Sequence, residues 1–436
     1  MRLRLPVTVL IACQFCVLVG CAGGGSSGTN PAAAIPAAAH EAAGPAQHGV
    51  RRPSSVPTCS TVGGGSFVGG GYFGEASGYA AAVVGGLGNE ACDDYSSVVG
   101  GESNSIATSN DAAIQSFIGG GYQNVITGGA EYGFLGGGHA NTVTGITAAL
   151  SGGYQNQNAA ANAMLGAGQS NTITSAGDDA FLGGGSTNTV SGQYGVIAGG
   201  LDNTVSGEGG YIAAGGYNTL SGIGAVIDGG FNNKATGDYA TIPGGYVNNA
   251  AGTYSFAAGA RASAALTGTF VWSDGSDGDT ILTATRAYQF LARAWGGYTL
   301  WTNAAGTVGA TLAPGSGTWA SASDRNMKTN IARVDDAAVL DEVVRLPIDR
   351  WSYVTERGVR HVGPMAQDFY AAFGVGEDDK HITSIDEDGV ALAAIKALHA
   401  ENADLRARLA TVTAAQSAQT AALRRLSAVV AALRKP

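Results

Sequence analysis

The chain has 436 residues, of which 70 are glycine and 11 proline, and only 13% are charged. This is far more glycine than the average of about 7%. Glycine does not recur at every third position, which excludes collagen, and 45% hydrophobic residues are too many for a disordered chain. The composition therefore favours a repetitive β architecture. The formal net charge is −10. Between positions 62 and 262 there are thirteen acidic residues and only two basic ones, Lys234 and Arg261, so nucleic acid is excluded as a partner of that segment.

The N-terminus has the pattern of an export signal. An apolar run over residues 5–19 is too short for a membrane span and is followed at once by small polar residues. Residues 18–21 (Leu-Val-Gly-Cys) resemble the lipobox of bacterial lipoproteins, in which the cysteine is diacylated and becomes the first mature residue. The resemblance implies a signal peptide over 1–20 and, because Ala22 follows Cys21, sorting to the outer membrane. An ordinary signal peptide with a chance cysteine is the alternative.

A tether and two further cysteines follow the signal. Residues 21–58 are rich in Gly, Ser, Ala and Pro, which predicts a flexible tether, and two acyl chains on Cys21 suffice for stable anchoring. Cys59 and Cys92 then remain in an exported, potentially oxidising compartment, where a disulfide between them and two unpaired thiols are both compatible with the sequence. No Cys/His cluster has metal-ligand spacing, so neither a metal nor a cofactor is expected.

The middle of the chain, residues 59–262, is one repeat that can be counted by its asparagines. They recur from Asn89 to Asn248, with Gly74 one period earlier, and eight of the eleven steps are fifteen residues. The other steps are twenty, seventeen and seventeen, so extra residues enter as loops without loss of register, as in a solenoid. Apolar residues before the glycines and after the asparagine predict two short strands per turn, and roughly twelve turns would span on the order of 60 Å.

This repeat resembles the head domain of trimeric autotransporter adhesins, in which three left-handed parallel β-rolls pack around a threefold axis. The resemblance implies a β-roll shaft in a homotrimer. It also suggests a binding role, such as adhesion to a surface or glycan that the sequence does not name. So small a coil encloses little core, and a single chain of this kind is not expected to bury enough surface to stand alone.

Two other functions of the repeat stay open. Hydroxyl pairs on five units would suit the flat ladder of an ice-binding solenoid, although Thr and Ser also favour exposed strands and turns. These pairs are Thr142 and Thr144, Thr172 and Thr174, Thr189 and Ser191, Thr204 and Ser206, and Thr219 and Ser221. Asp93-Asp94 and Asp178-Asp179 would suit a polysaccharide-degrading enzyme, but adjacent strand residues point to opposite faces, which favours solvated loop charges.

Residues 263–322 lose the period and concentrate aromatic residues. Trp295, Tyr298 and Trp301 lie close together, which predicts a small β neck between the shaft and the C-terminal module. Stacking of a ligand on these aromatic rings is the less favoured alternative.

Charged residues and helical patterns become common from Ser323. The region opens with the hexapeptide Ser-Asp-Arg-Asn-Met-Lys at 323–328, in which Ser323 or Asp324 would also suit a helix cap. Segments at 346–347, 351–353, 361–368 and 382–395 follow. Taken in this order, the stretch from Ser323 to Pro436 resembles the C-terminal intramolecular chaperone of phage endosialidases and other tailspikes, a self-cleaving serine peptidase family.

In that family the serine of a Ser-Asp-x-x-x-Lys motif is the nucleophile, the lysine activates it, and the domain guides trimer folding before cutting itself off. The resemblance implies that Ser323 is the nucleophile, Lys328 its base, and Ala322–Ser323 the scissile bond. An uncharged Lys328 amine, desolvated in the assembled trimer, would take the Ser323 proton, and the hydroxyl would attack the Ala322 carbonyl. Nucleophile and scissile bond share one chain, so a single turnover and no activity on external substrates are expected.

The final segment, 395–433, follows the chaperone domain at 323–394 and carries a heptad pattern. With Ile395 at position a, nine of the twelve a and d positions are apolar, which favours a coiled coil. These positions are Ile395, Leu398, Asn402, Leu405, Leu409, Val412, Gln416, Gln419, Leu423, Leu426, Val430 and Leu433. The polar residues Asn402, Gln416 and Gln419 would fix the register of the helices or mark a frayed part of the seam formed by the a and d positions. The number of helices in the coiled coil comes only from the resemblance.

The sequence as a whole predicts a mainly β, exported fibre anchored in the outer membrane by its lipid. A parallel β-roll or solenoid shaft, a small β neck and an α+β chaperone domain ending in a coiled coil follow one another. The expected partners are two further copies of the chain, the membrane, and an unknown surface or glycan ligand. An exported polysaccharide-degrading fibre enzyme and an ice-binding solenoid are the alternatives, and the C-terminal domain is expected to leave after cleavage.

Overall fold

A computed structural model describes residues 63–108, 111–356 and 358–434 of the chain. The chain divides into two compact units, one that ends at Arg293 and one that begins at Ala294. The first consists of short parallel strands, and the second combines a small antiparallel sheet with a strand pair and three helices. The predicted fold class, mainly β with a parallel solenoid and a helical C-terminus, is confirmed.

Two parallel sheets run along the first unit, and each coil contributes one strand to each sheet. The first sheet contains β1 (Phe67–Val68), β3 (Ala82–Val83), β5 (Ser97–Val98), β7 (Phe117–Ile118), β9 (Phe134–Leu135), β11 (Ala149–Leu150), β13 (Met164–Leu165), β15 (Phe181–Leu182), β17 (Val196–Ile197), β19 (Tyr211–Ile212), β21 (Val226–Ile227), β23 (Thr241–Ile242), β25 (Phe256–Ala260), β27 (Phe270–Asp274) and β29 (Phe290–Arg293). The second contains β2 (Glu75–Ala76), β4 (Glu90–Ala91), β6 (Ser105–Ile106), β8 (Val125–Ile126), β10 (Thr142–Val143), β12 (Gln157–Asn158), β14 (Thr172–Ile173), β16 (Thr189–Val190), β18 (Thr204–Val205), β20 (Thr219–Leu220), β22 (Lys234–Ala235), β24 (Asn249–Ala250), β26 (Ala262–Ala264) and β28 (Leu282–Thr283).

Each coil also has a third side, which the repeat pattern did not indicate. A row of single-residue parallel bridges begins with Tyr72 and Leu87 and ends with Tyr246 and Ala260. One bridged residue per coil, set among glycines, carries no apolar pair that would mark it as a strand. The two predicted strands per turn are present, and the bridges close the coil between them.

The core is a narrow stack of side chains inside the coils. In most of the two-residue strands the first residue faces outwards and the second is buried, as in Val196–Ile197 and Thr204–Val205. This follows from the alternation of side chains along a strand. The largest fully buried side chains are Ile106, Ile118, Ile126, Leu135, Leu150, Leu165, Ile173, Leu182, Ile197, Ile212, Leu220 and Ile227.

The recurring asparagine is buried and joins each coil to its neighbours. The Nδ2 group of Asn203 donates to the carbonyl oxygens of Gly199 (3.2 Å) and Gly215 (3.0 Å) and to Oδ1 of Asn188 (3.1 Å). Its own Oδ1 accepts from the backbone N–H (3.1 Å) and Nδ2 (3.0 Å) of Asn218. Buried amides must find hydrogen-bond partners, so this ladder holds the coils in one register.

The solenoid continues beyond Ala262, where the sequence period stops and a neck was predicted to begin. Phe256 pairs with Phe270, which pairs with Phe290, so β25, β27 and β29 extend the first sheet. These coils keep buried apolar residues but lack the asparagine by which the repeat was counted, which is why the sequence did not reveal them. In the last coil, Arg293 forms an ion pair with Asp277.

The second unit begins with an antiparallel sheet of β30 (Tyr298–Trp301), β31 (Gly309–Leu312) and β32 (Trp319–Ser321). The elements that follow are helix α1 (Asp336–Arg345), the antiparallel pair β33 (Asp349–Trp351) and β34 (His361–Gly363), helix α2 (Ala366–Phe373) and helix α3 (Ser384–Leu433). An ion pair between Lys396 and Asp336 joins α3 to α1 (2.5 Å). No helix in the described part of the chain is long and apolar enough to cross a membrane.

Candidate functional site

The predicted scissile bond lies directly after an edge strand. In the order β30-β31-β32, strand β32 is at the edge of the sheet and ends at Ser321. The next residue, Ala322, still donates its N–H to the carbonyl oxygen of Gly309 (3.1 Å). A Cβ on Gly309 would lie 1.9 Å from the Leu300 carbonyl oxygen, so this position requires glycine. The chain on the N-terminal side of the bond is therefore held as an extended strand.

The chain on the C-terminal side of the bond turns at once. Asp324 caps a single 3-10 turn at Arg325–Met327, and its Oδ1 accepts from the N–H (2.9 Å) and Nδ2 (3.1 Å) of Asn326. The Lys328 N–H donates to the Arg325 carbonyl oxygen (3.2 Å) and closes the turn. The alternative interpretation of Asp324 as a cap is thus correct in this structure, and the turn brings both ends of the hexapeptide together.

The turn places the two predicted reactive groups in contact. Lys328 Nζ lies 2.6 Å from Ser323 Oγ, and both side chains are exposed in the single chain. An ammonium donates in this contact, whereas an uncharged amine at the same place accepts the hydroxyl proton. A nucleophile and a base within hydrogen-bond reach are the arrangement that general-base activation of a serine requires.

The β33–β34 pair carries a group of aromatic and charged side chains. His361 on β34 stacks on Trp351 of β33 with ring centroids 4.7 Å apart, and its Nε2 lies 3.0 Å from Glu356 Oε2. Tyr353 contacts both rings edge to face. These contacts hold the β33–β34 pair together.

Gly309 is the part of this site that sequence reasoning missed. It lies thirteen positions before Ala322 and acts through a backbone carbonyl, which no residue type reveals. Only the pairing of β31 with β32 brings the two residues together. Asp324, by contrast, was recognisable from its capping preference and its place in the motif.

The other predicted site residues lie in or before the first coils. Cys21 and Cys59 are outside the described residues. Cys92 follows β4 on a half-exposed position and is disulfide-bonded. Its pairing with Cys59 stays a prediction, as does lipidation of Cys21. Within the described residues, no three His, Cys, Asp or Glu side chains are grouped as metal ligands.

Three carboxylates of the acidic pairs, those of Asp93, Asp94 and Asp178, accept hydrogen bonds in the coils. Buried Asp93 accepts from the N–H (3.0 Å) and Oγ1 (2.8 Å) of Thr108 and from the Ala113 N–H (2.8 Å). Asp94 accepts from the Tyr79 N–H of the preceding coil (2.6 Å), and Asp178 makes the same kind of bond. The pairs lie at coil corners, as predicted, but the prediction that they are solvated is wrong for Asp93, which is fully buried and fixes its corner through these contacts.

The threonine positions line up on the outer side of the second sheet. Thr172 pairs with Thr189, Thr189 with Thr204 and Thr204 with Thr219, on four consecutive coils. Gln157 pairs with Thr172 and interrupts the row towards the N-terminus. The alignment is one that an ice-binding face needs, and ice binding stays a prediction.

Comparison with known proteins identifies one segment. Residues 323–374 match the family described as chaperone of endosialidase, so the match begins at Ser323 and ends just after α2. No curated protein matches the chain. This match supports a C-terminal chaperone domain, which follows the parallel β-solenoid in the sequence.

Proposed function

We propose that this protein is an exported homotrimeric fibre whose C-terminal chaperone domain guides assembly and then cuts itself off between Ala322 and Ser323. The observation that carries the proposal is the 2.6 Å contact between Lys328 Nζ and Ser323 Oγ at the first residues of the family match. The solenoid is the mature product, anchored through a diacylated Cys21 at the outer membrane. Its work there is adhesin-like binding of a surface or glycan.

The cleavage chemistry needs the side chains of Ser323 and Lys328 and one water molecule. An uncharged Lys328 amine takes the proton of the Ser323 hydroxyl, and Oγ bonds to the carbonyl carbon of Ala322. The carbon–nitrogen bond then breaks, and the Ser323 nitrogen receives the proton from the Lys328 ammonium. Water hydrolyses the resulting ester, which leaves a carboxylate on Ala322 and restores the Ser323 hydroxyl behind a free α-amine.

Assembly supplies the control over this reaction. In the single chain both Ser323 and Lys328 are exposed, and an ammonium group cannot act as a base. Burial of the pair between copies would favour the uncharged amine. Cleavage would then follow correct assembly, which is the order a folding aid requires.

The C-terminal helix is the element that joins the copies. The helix α3 is continuous over Ser384–Leu433, and its seam residues Leu405, Leu409 and Leu426 are each at least 60% exposed in the single chain. A continuous helix with exposed apolar side chains at a and d positions pairs with other helices of the same kind. We assign the partners as two further copies of the chain.

The test is the intact mass and gel pattern of the chain without its signal peptide and Cys21, beside Ser323→Ala and Lys328→Ala variants. We expect the parent chain to yield two fragments, the second beginning at Ser323, and both variants to stay uncut. Ser321→Ala, two residues before the nucleophile at the end of β32, is the matched control and should be cut normally. If the parent chain is trimeric but stays uncut, the domain only trimerises the chain and does not cleave it.

A further inference from the structure

Three outward side chains of the second sheet distinguish its first coils from the later ones. Glu75 on β2 pairs in register with Glu90 on β4, so two carboxylates lie one coil apart. Cys92 lies two positions after Glu90 and on the same face, because side chains alternate along a strand. All three are partly buried, and Cys92 is disulfide-bonded. We call Glu75 and Glu90 the acidic patch, and it lies beside a disulfide.

The sequence leaves one partner for this disulfide within the mature chain. The described residues, which begin at Gly63, contain no other cysteine. Of the four cysteines before Gly63, three lie in the predicted signal peptide or at the predicted lipidation site. The remaining one is Cys59, four positions before Gly63.

The register of the coils excludes one path for the segment before Gly63. If the fifteen-residue period continued towards the N-terminus, Cys59 would lie one coil before Gly74 and two coils before the coil of Cys92. Two coils span about 10 Å, whereas the Cα atoms of a disulfide are at most about 7 Å apart. A segment that joins Cys59 to Cys92 therefore does not add another coil to the solenoid.

A path across the coils is within reach of the same segment. Gly63 lies against the coil of Ser77, because a Cβ on Gly63 would be 2.4 Å from the Ser77 carbonyl oxygen. Cys92 is one coil beyond Ser77, as the pairing of β2 with β4 shows. The four residues back to Cys59 reach at most about 13–14 Å, which is enough for two coils. Such a segment runs along the solenoid and brings the preceding residues near the acidic patch.

The charge of the preceding residues matches the patch. Like charges on paired positions repel, so a cation near Glu75 and Glu90 stabilises this part of the sheet. Arg51 and Arg52 are the nearest basic residues in the sequence, and no Lys or Arg lies between them and Lys234. Lys234 is ten coils from Glu75 in the same sheet, about 48 Å away. The two arginines are therefore the basic residues placed to face the acidic patch.

We propose that residues 51–62 form a strap along the outer face of the second sheet, with Cys59 joined to Cys92 and the two arginines facing the acidic patch. Each coil of a solenoid contacts only its neighbours, so the first coil has support on one side only, and the strap fastens it to the next. In the proposed fibre, tension from the membrane anchor would act on the coil of Cys92 instead of unwinding the first coil. The inference does not depend on self-cleavage.

A digest of the non-reduced protein tests the disulfide. The chain without signal peptide and Cys21 keeps only Cys59 and Cys92, and endoproteinase Glu-C separates them by cutting after Glu75 and Glu90. We expect residues 42–75 and 91–102 as one species that reduction resolves into two. On a denaturing, non-reducing gel the protein should migrate as a single chain. Free thiols would overturn the proposal, and so would covalent dimers, which would assign the contact to a second copy.

Trypsin tests the contact between the arginines and the acidic patch. The first trypsin site of that chain follows Arg51, because Pro53 blocks cleavage after Arg52, and the next site is Lys234. Release of residues 22–51 from the folded protein therefore reports how accessible the strap is. Raised salt screens ion pairs, so it should speed this cleavage in the parent protein several-fold.

Two double variants distinguish the acidic patch from a general effect of charge. Glu75→Gln with Glu90→Gln keeps the side-chain shape and removes the charge, so we expect Arg51 to be cut several-fold faster. Glu131→Gln with Glu208→Gln neutralises two carboxylates on other coils and should leave the parent's rate unchanged. Circular dichroism checks that each variant is folded. Equal rates in all three proteins, with no effect of salt, would overturn the docking of the arginines even if the disulfide is found.

Discussion

At the scale of single residues, the candidate site depends on a short turn. Lys328 lies five positions after Ser323, a spacing that does not by itself bring the two side chains together. The Asp324 carboxylate helps to bring them together, because it accepts hydrogen bonds from two groups of Asn326 and holds the 3-10 turn. An N-cap of this kind contributes about 1 kcal/mol. Asp324 is therefore a positioning residue for the pair.

Removal of this cap should slow self-cleavage without abolishing it. We expect Asp324→Ala to reduce the cleavage rate several-fold, and Asp324→Asn, which keeps an acceptor oxygen, to retain most of it. The fraction cut is followed on gels after a pulse of synthesis. Asp335→Ala removes the cap of α1 in the same unit and serves as the control. Equal slowing by Asp335→Ala, or no rescue by Asp324→Asn, would mean that Asp324 only stabilises the domain.

At the scale of the coil, one glycine position is required by the close approach of neighbouring coils. Gly200 has φ +107°, and a Cβ there would lie 2.2 Å from the Gly215 carbonyl oxygen and 2.5 Å from Asn203 Nδ2. Gly199, the residue before it, has no positive φ, and a Cβ there would meet no atom within 4 Å. The backbone geometry thus requires glycine at position 200 but not at position 199.

This difference predicts different costs for the same substitution. Gly200→Ala combines a strained backbone with a backbone clash and should lower the free energy of unfolding by about 3 kcal/mol. Gly199→Ala should be close to neutral. Thermal unfolding followed by circular dichroism measures both, and similar melting temperatures for the two variants would contradict the coil geometry.

The sequence revealed the coils better than it revealed what joins them. Apolar pairs such as Val196–Ile197 repeat with the coil, so the strands could be predicted from spacing and alternation. The role of Asn203 could not, because its partners Gly199, Gly215 and Asn218 meet only when coils stack. For the same reason the contact of Ala322 with Gly309 needed the structure, whereas the residues of the hexapeptide could be recognised from the motif alone.

At the scale of the whole molecule, cleavage and assembly are coupled in the proposed function. The reactive pair is exposed in one chain, and the seam of α3 is exposed as well. Both would be covered in the trimer. A substitution on the seam should therefore affect a reaction whose residues it does not touch.

The heptad offers a matched pair for this test. Leu409 lies at position a and Ala410 next to it at position b, outside the seam. We expect Leu409→Asp to lower the mass in solution from trimer to monomer in a Ser323→Ala background, and to block self-cleavage when Ser323 is present. Ala410→Asp introduces the same charge and should change neither. Light scattering and gels give the two results, and efficient cleavage by monomeric Leu409→Asp would separate the reaction from assembly.

The asparagine ladder allows the shaft to change its length only by whole coils. Each Asn contacts only residues of its own coil and of the two neighbouring coils, so the network does not depend on the number of coils. Removal of residues 188–202, one fifteen-residue period, would bring Asn203 to the position of Asn188 and leave every remaining rung with a partner. Gain or loss of such units lengthens or shortens the shaft by about 4.8 Å each without a new fold. In the proposed fibre, the repeat thus acts as a ruler that sets how far from the membrane the shaft reaches.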